Sequence, residues 1–239
     1  MMSPLADAHV HFWEGMDASL RALRIERLAL QSVVEQDWEP ICRFSQLAQN
    51  IEQNIVTTPF LGIHPWYVAQ AVPGWETRLV SLLENLRVNG VACGIGEIGL
   101  DKTKSVPMAS VVFEAQLQIA VEMRLPVAIH CVKSWNQILP TLRRIVGRSH
   151  IPIIFHKFNG SKEIVRELSR CNAWFSFAST ASRKSLSIAP PSRVLIESDA
   201  QNASQLEQLT QWYHEAAEIL RTTPENLAAQ TVLFLEQIF

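Results

Sequence analysis

Short runs rich in β-branched and aromatic residues alternate along the chain with stretches whose apolar residues recur every three or four positions. The first pattern suits strands and the second amphipathic helices. Strands are predicted at Leu5–Phe12, Arg27–Val34, Ile55–His64, Val91–Gly99, Pro126–Val132, Ile151–Phe158, Ala173–Ser179 and Arg193–Ala200. Helical period is clearest at Trp75–Asn89, Ala109–Arg124, Ser134–Val146 and Ser161–Cys171. Within Ala109–Arg124, Val112, Ala115, Gln116, Ile119, Ala120 and Met123 recur at spacings of three and four and share one face. Alternating strands and helices imply a parallel sheet, because parallel neighbours need a crossover. Eight units in about 200 residues predict an α/β fold of the TIM-like (β/α)₈ barrel type, with a doubly wound open sheet as the competing fold. The first crossover is short, with room for about two helical turns around Ala18–Arg24. Two extra C-terminal helices, Ser204–Leu220 and Pro224–Phe239, are expected after the eighth strand, Pro224 suiting a helix start.

Composition narrows the class further. The chain has 239 residues, 21 Lys+Arg against 23 Asp+Glu, and a net charge of −2. That length suits one barrel domain over residues 1–239 and gives no globally basic surface for duplex nucleic acid. No apolar run exceeds four residues, too few for a membrane span, so no membrane association is expected. The stretch Met1–Asp7 lacks the basic and apolar segments of a signal peptide. Cys42, Cys93, Cys131 and Cys171 form no Cys-x-x-Cys pair, which reads as four reduced thiols in a cytoplasmic protein.

Candidate chemistry gathers at the carboxyl ends of the predicted strands. Five of the seven histidines fall there: His9 and His11 on strand one, His64 on three, His130 on five and His156 on six. Glu97 ends strand four and Asp199 strand eight. In a barrel these ends share one rim, where such enzymes place their sites. In Asp7-Ala8-His9-Val10-His11 the odd positions share a strand face, so two imidazoles face one ion. His9, His11, Glu97, His130, His156 and Asp199 exceed what one hydrolytic ion needs, which implies two divalent ions with Glu97 between them. His9, His11 and Asp199 would complete one, His130 and His156 the other. Mixed imidazole and carboxylate donors suit zinc, manganese, nickel or iron, and magnesium where oxygens and water dominate. The competing reading pairs Glu97 with an arginine and leaves Asp199 capping a turn, but no arginine lies in the neighbouring strand ends. The glycines at 94, 96 and 99 allow close packing around Glu97 and lack the spacing and lysine of a phosphate loop.

Asp-x-His-x-His at 7–11, Gly62-Ile63-His64-Pro65-x-Tyr67, Gly96-Glu97-Ile98-Gly99-Leu100-Asp101, His130, His156-x-Phe158-x-Gly160 and Glu197-Ser198-Asp199-Ala200 together resemble the TatD family of metal-dependent hydrolases, a branch of the amidohydrolase superfamily. The resemblance implies a TIM-like barrel, a binuclear metal site and deoxyribonuclease or other phosphodiesterase activity. It implies that His9, His11, Glu97 and Asp199 ligate one metal and Glu97, His130 and His156 the other, with His64 near the substrate phosphate. This chain departs from the family where an arginine usually follows the strand-five histidine, since Val132 stands there. Valine offers no fork to phosphate, leaving Lys133 or Lys157 to supply positive charge. The segment after Asp199 also differs, reading Ala200-Gln201-Asn202-Ala203.

The expected reaction is hydrolysis by a metal-activated water, with Glu97 and Asp199 as the catalytic carboxylates and Asp199 accepting a proton. His64, Lys133 and Lys157 are the candidate substrate contacts. Asp7, Asp101 and Glu197 are expected to orient histidines from behind. Trp13, Trp38, Trp66 and Trp135 follow strand ends and offer rings either for stacking bases or for packing loops. The expected substrate is DNA, single-stranded, or a small phosphodiester, with no obligate protein partner evident. Two other readings stand beside it: a barrel hydrolase acting on a non-nucleic ester, amide or lactone, and a non-catalytic metal-binding interaction protein.

Overall fold

The computed structural model describes residues 4–50, 55–104, 106–178 and 183–238. Strands and helices alternate as β1 (Leu5–His11), α1 (Met16–Ala22), β2 (Ile25–Gln31), α2 (Trp38–Asn50), β3 (Val56–Phe60), α3 (Trp75–Val88), β4 (Ile95–Asp101) and α4 (Ala109–Met123). They continue as β5 (Val127–Val132), α5 (Trp135–Ile145), β6 (Ile153–Phe155), α6 (Lys162–Leu168), β7 (Ala173–Phe177), α7 (Arg183–Ile188) and β8 (Val194–Ile196). Three helices follow: α8 (Ala203–Leu206), α9 (Leu209–Leu220) and α10 (Pro224–Ile238). Every pairing is parallel, in the orders β1-β2-β3 and β4-β5-β6-β7-β8. At one seam Gly94 N donates to Pro59 O (2.9 Å) and Leu61 N to Gly94 O (3.1 Å). At the other, Asp199 N donates to His9 O and His11 N to Ala200 O, both at 2.9 Å. The eight strands thus form a TIM-like (β/α)₈ barrel.

All eight predicted strands are present, several of them shorter than expected. β6 and β8 keep only three residues each because the chain turns out of the ladder at Lys157 (φ 43°) and Asp199 (φ 53°). The first crossover helix has seven residues and starts after Gly15, whose φ of 80° suits glycine. The predicted helix Ser204–Leu220 is instead two, α8 packing on α1 while α9 packs on α7 and α10. The predicted ends at Ser179 and Phe239, and Met1–Ser3, lie outside the described residues.

Two apolar clusters divide the interior. The larger fills the layer between strands and helices, and includes Cys131, whose thiol burial pushes up to about 12. The smaller joins Ala6, Ala8, Ala29, Phe60, Ala128, Ile154, Trp174 and Leu195 from seven strands with Leu235 and Ile238 of α10. This is the floor of the barrel's inside. β4 supplies Gly96 there, where a Cβ would come within 2.8 Å of Ala128 Cβ and 2.7 Å of Gln31 Oε1, so only glycine fits. No helix among the described residues is long and apolar enough to cross a membrane.

The C-terminal helices are tied to the barrel by Tyr213, fully buried on α9, whose hydroxyl donates to Ala6 O at 2.8 Å. Tyr213→Phe should lower unfolding stability by about 1 kcal/mol, read from the urea midpoint at unchanged m-value.

Candidate metal centre

Two residues along a strand return to the same face. From the floor residues Ala29, Ala128, Ile154 and Leu195 that step reaches Gln31, His130, His156 and Glu197, so a polar layer sits above the apolar one at the carboxyl rim. β1 and β4 depart from the simple alternation. Their registers slip between Asp7 and Val10 and between Ile95 and Ile98. Such irregularities re-aim side chains beside sites. In β4 the slip lets Gly96 face the floor while Glu97, its neighbour, turns into the polar layer.

Glu97 stands at the centre, 3% exposed, and its two oxygens face different histidines. Oε2 lies 3.3 Å from His9 Nε2 and 3.8 Å from His11 Nε2. Oε1 lies 2.8 Å from His130 Nδ1, 3.5 Å from His64 Nε2 and 3.8 Å from His156 Nε2. Asp199 adds a second carboxylate on the first side, its Oδ1 at 3.1 Å from His11 Nε2 and 3.7 Å from His9 Nε2. Donor atoms of His9–His11–Asp199, His9–Glu97–His156 and His64–Glu97–His130 each lie within 4.8 Å of one another. The rings of His9 and His156 stack with centroids 3.6 Å apart.

The far nitrogens decide what each ring offers. His156 Nδ1 lies 2.9 Å from Glu197 Oε1, which leaves Nε2 turned toward Glu97 and Asp199. His130 Nε2 lies 3.2 Å from Asp101 Oδ2, which leaves Nδ1 toward Glu97. A carboxylate behind an imidazole is the usual backing of a metal-bound histidine. His64 differs. Its Nδ1 accepts from Trp66 N (3.2 Å), so the neutral ring carries its proton on Nε2 and presents a donor.

The electrostatics call for positive charge. Glu97, Asp101 and Glu197 are buried and Asp199 is partly so, whereas Lys157 is the sole lysine or arginine among the described residues lining the cavity. Burial opposes ionisation of Glu97, but His156, His64, His9 and His130 outweigh it and hold the carboxyl well below the usual range. Asp199 is likewise held low by His11 and His156 against its own burial. Burial and the neighbouring His156 push His9 down to about 4, so its ring is neutral with a lone pair to give. Both of its nitrogens are buried without a hydrogen-bond partner. Neutral imidazole, ionised carboxylates and orphaned buried nitrogens are the donor set a divalent cation requires, and these residues fit one.

The surrounding cavity, about 420 Å³, is lined by the cluster, the fully buried His9 excepted, together with Phe12, Gln31, Val33, Asp37, Trp66, Tyr67 and Gln201. Gln31, Asp37, Tyr67 and Gln201 were not anticipated as site residues. Gln31 ends β2 and follows the same strand-end rule as the histidines, while Asp37 ends a single 3-10 turn (Glu35–Asp37) and Gln201 sits on a loop, neither of which carries a periodic signal. Lys157 reaches the cluster, its Nζ against Asp199 Oδ2. Lys133 is exposed and does not line the cavity. Asp7, expected behind a ring, instead accepts from the backbone N of His9 (3.1 Å) and from Ser198 N and Oγ (3.0 and 2.6 Å), pinning β1 to the end of β8. Glu197 also accepts from Lys157 N (2.8 Å), which steadies the left-handed turn there.

A parallel barrel with a histidine–carboxylate cluster at its carboxyl rim defines a barrel equipped to hold divalent metal. The chain matches the family model "TatD related DNase" over residues 6–239 and belongs to that family. It is 29% identical over 163 residues to the human "3'-5' RNA nuclease TATDN2", covering 63% of this chain and 21% of that one. It is 29% identical over 157 residues to the "3'-5' ssDNA/RNA exonuclease TatD" of Pantoea sp. strain At-9b, covering 58% of this chain and 56% of that one. The matched segments thus span about half or less of these curated relatives. The solved TatD homologue YJJV of Escherichia coli K12 shares the fold, with a TM-score of 0.81 at 20% identity over 98% of this chain and 97% of that one.

The Glu197–His156 pair yields a test in chelator-treated protein. Burial opposes the imidazolium, but Glu197 and Glu97 outweigh it and push His156 up to about 9. The ring should therefore keep its proton through neutral pH and lose it near pH 9. Glu197→Gln should move that titration down by at least about one pH unit, read by the NMR shift of the His156 ring carbon.

Proposed function

We propose that this chain is a divalent-metal-dependent hydrolase of phosphodiester bonds, acting at a binuclear site on single-stranded DNA or RNA. The observation that carries the reading is the division of Glu97, one oxygen toward His9 and His11 and the other toward His130 and His156. His9, His11, Asp199 and Glu97 would hold one cation, and Glu97, His130 and His156 the other. Divalent ions bound there supply Lewis acidity toward a phosphoryl oxygen and lower the pKa of water.

The protein's own groups do the rest. Asp199, held ionised at neutral pH, accepts the proton of the attacking water. Asp101 and Glu197 fix the rings of His130 and His156, so neither has to reorganise during the reaction. His64 presents Nε2–H toward a substrate oxygen. Lys157, more than half exposed at the cavity edge, offers an ammonium to a phosphate oxygen in place of the arginine that Val132 replaces. Nuclease activity is supported by the likeness to the human RNA nuclease, and action on single-stranded DNA by the likeness to the Pantoea ssDNA/RNA exonuclease. A second reading, a non-nucleic ester, amide or lactone as substrate, is favoured by that same valine, since a lone lysine grips phosphate less specifically than an arginine fork.

Turnover of single-stranded DNA and RNA, bis-p-nitrophenyl phosphate, p-nitrophenyl acetate and a simple lactone, each with zinc, manganese, nickel or magnesium, separates the two readings. Phosphodiester cleavage is expected, with Asp199→Asn lowering kcat on the order of 10²–10⁴-fold at unchanged circular dichroism. Turnover of the ester or lactone alone supports the second reading. No turnover of any substrate leaves a metal-binding protein without catalysis.

A further inference from the structure

The four tryptophans near strand ends have different surroundings. Trp38 is buried, its Nε1 donating to Gly62 O (3.0 Å). Trp135 packs against Phe155 and Phe158 at centroid distances of 5.4 and 5.7 Å, and Trp13 packs against the main apolar cluster. Trp66 alone of the four lines the cavity, and it is 38% exposed.

The Trp66 ring is fixed from behind. Its Nε1 donates to Asp101 Oδ2 (2.9 Å), the oxygen that also faces His130, and His64 packs edge-on with centroids 5.0 Å apart. The ammonium of the exposed Lys104 lies over the ring, 4.5 Å from its centroid. A rigid indole at the edge of an anion-processing centre, with a cation on a flexible stem beside it, suits a ligand with a flat π-face and a negative charge close by. The rest of the rim does not duplicate this. Tyr67 and Phe12 line the same cavity, but among the described residues neither has a cation over its ring.

We infer that Trp66 and Lys104 form a nucleobase subsite: a base stacks on the indole in the place Lys104 occupies, and Lys104 swings to an adjoining phosphate. This inference rests on the nucleic-acid reading given above and specifies how that substrate is held. Stacking tolerates every base, so the subsite favours single strands without dictating sequence.

Binding is measured by fluorescence anisotropy in an Asp199→Asn background, in which cleavage is slow on the timescale of the titration, using a labelled short oligothymidylate and the same backbone with abasic residues. Trp66→Ala should weaken oligothymidylate binding about ten-fold and abasic binding by less than about two-fold, and Trp66→Phe should keep most of the affinity. KM for oligonucleotide cleavage should rise with little change in kcat. Equal losses on the two probes would mean that Trp66 acts only by holding Asp101, which overturns the inference, as does an unchanged Trp66→Ala. If oligonucleotide binds and is cleaved yet Trp66→Ala is indifferent, the inference alone falls. If the wild-type chain neither binds nor cleaves oligonucleotide, the functional reading falls and the inference with it.

Discussion

The structure turns on one buried carboxylate. Glu97 is removed from water yet held ionised, and its immediate partners are imidazoles rather than an arginine or lysine. An isolated buried charge of this kind is costly, and the surrounding imidazoles offset only part of that cost. The surrounding architecture serves to gather them. The apolar floor built by Ala128, Ile154 and Leu195 sets the height of the polar layer, and Gly96 leaves the gap that brings Glu97 into it. A second ring of carboxylates, Asp101 and Glu197, then fixes two of the imidazoles. The net result is a pocket with an excess of negative charge, which a cation neutralises. A chain of net charge −2 can in this way present positive field to an anionic substrate.

Much of this was legible in the sequence, for physical reasons that differ from residue to residue. The eight strands were readable because a parallel barrel buries both strand faces and enforces short apolar runs. His130 and His156 were readable because each lies at the end of such a run, two residues beyond a floor residue. The placement of Glu97 followed from its position at the end of the fourth strand run, but the division of its two oxygens did not. That depends on register slips in β1 and β4, which are set by packing between strands and leave no periodic trace. Asp7 shows the same limit. Strand alternation puts it on the face of His9 and His11, whereas the slip turns its carboxylate to Ser198.

The departures from the family pattern have a spatial logic. Val132 removes a fork from the fifth strand end, and Lys133 next to it is exposed away from the cavity. Positive charge instead enters from the sixth strand end, where Lys157 sits in a left-handed turn held by Glu197. The candidate metal donors are thus all gathered at the rim, while of the three candidate substrate contacts only His64 and Lys157 line the cavity.

The most direct test of the account is the position and number of cations around Glu97, measured by anomalous diffraction at the absorption edge of the metal after loading with zinc or manganese. Two peaks, one on the His9–His11–Asp199 side of Glu97 and one on the His130–His156 side, are the predicted result. A single peak that leaves one side of Glu97 empty at saturating metal, or none within reach of Glu97, would contradict it.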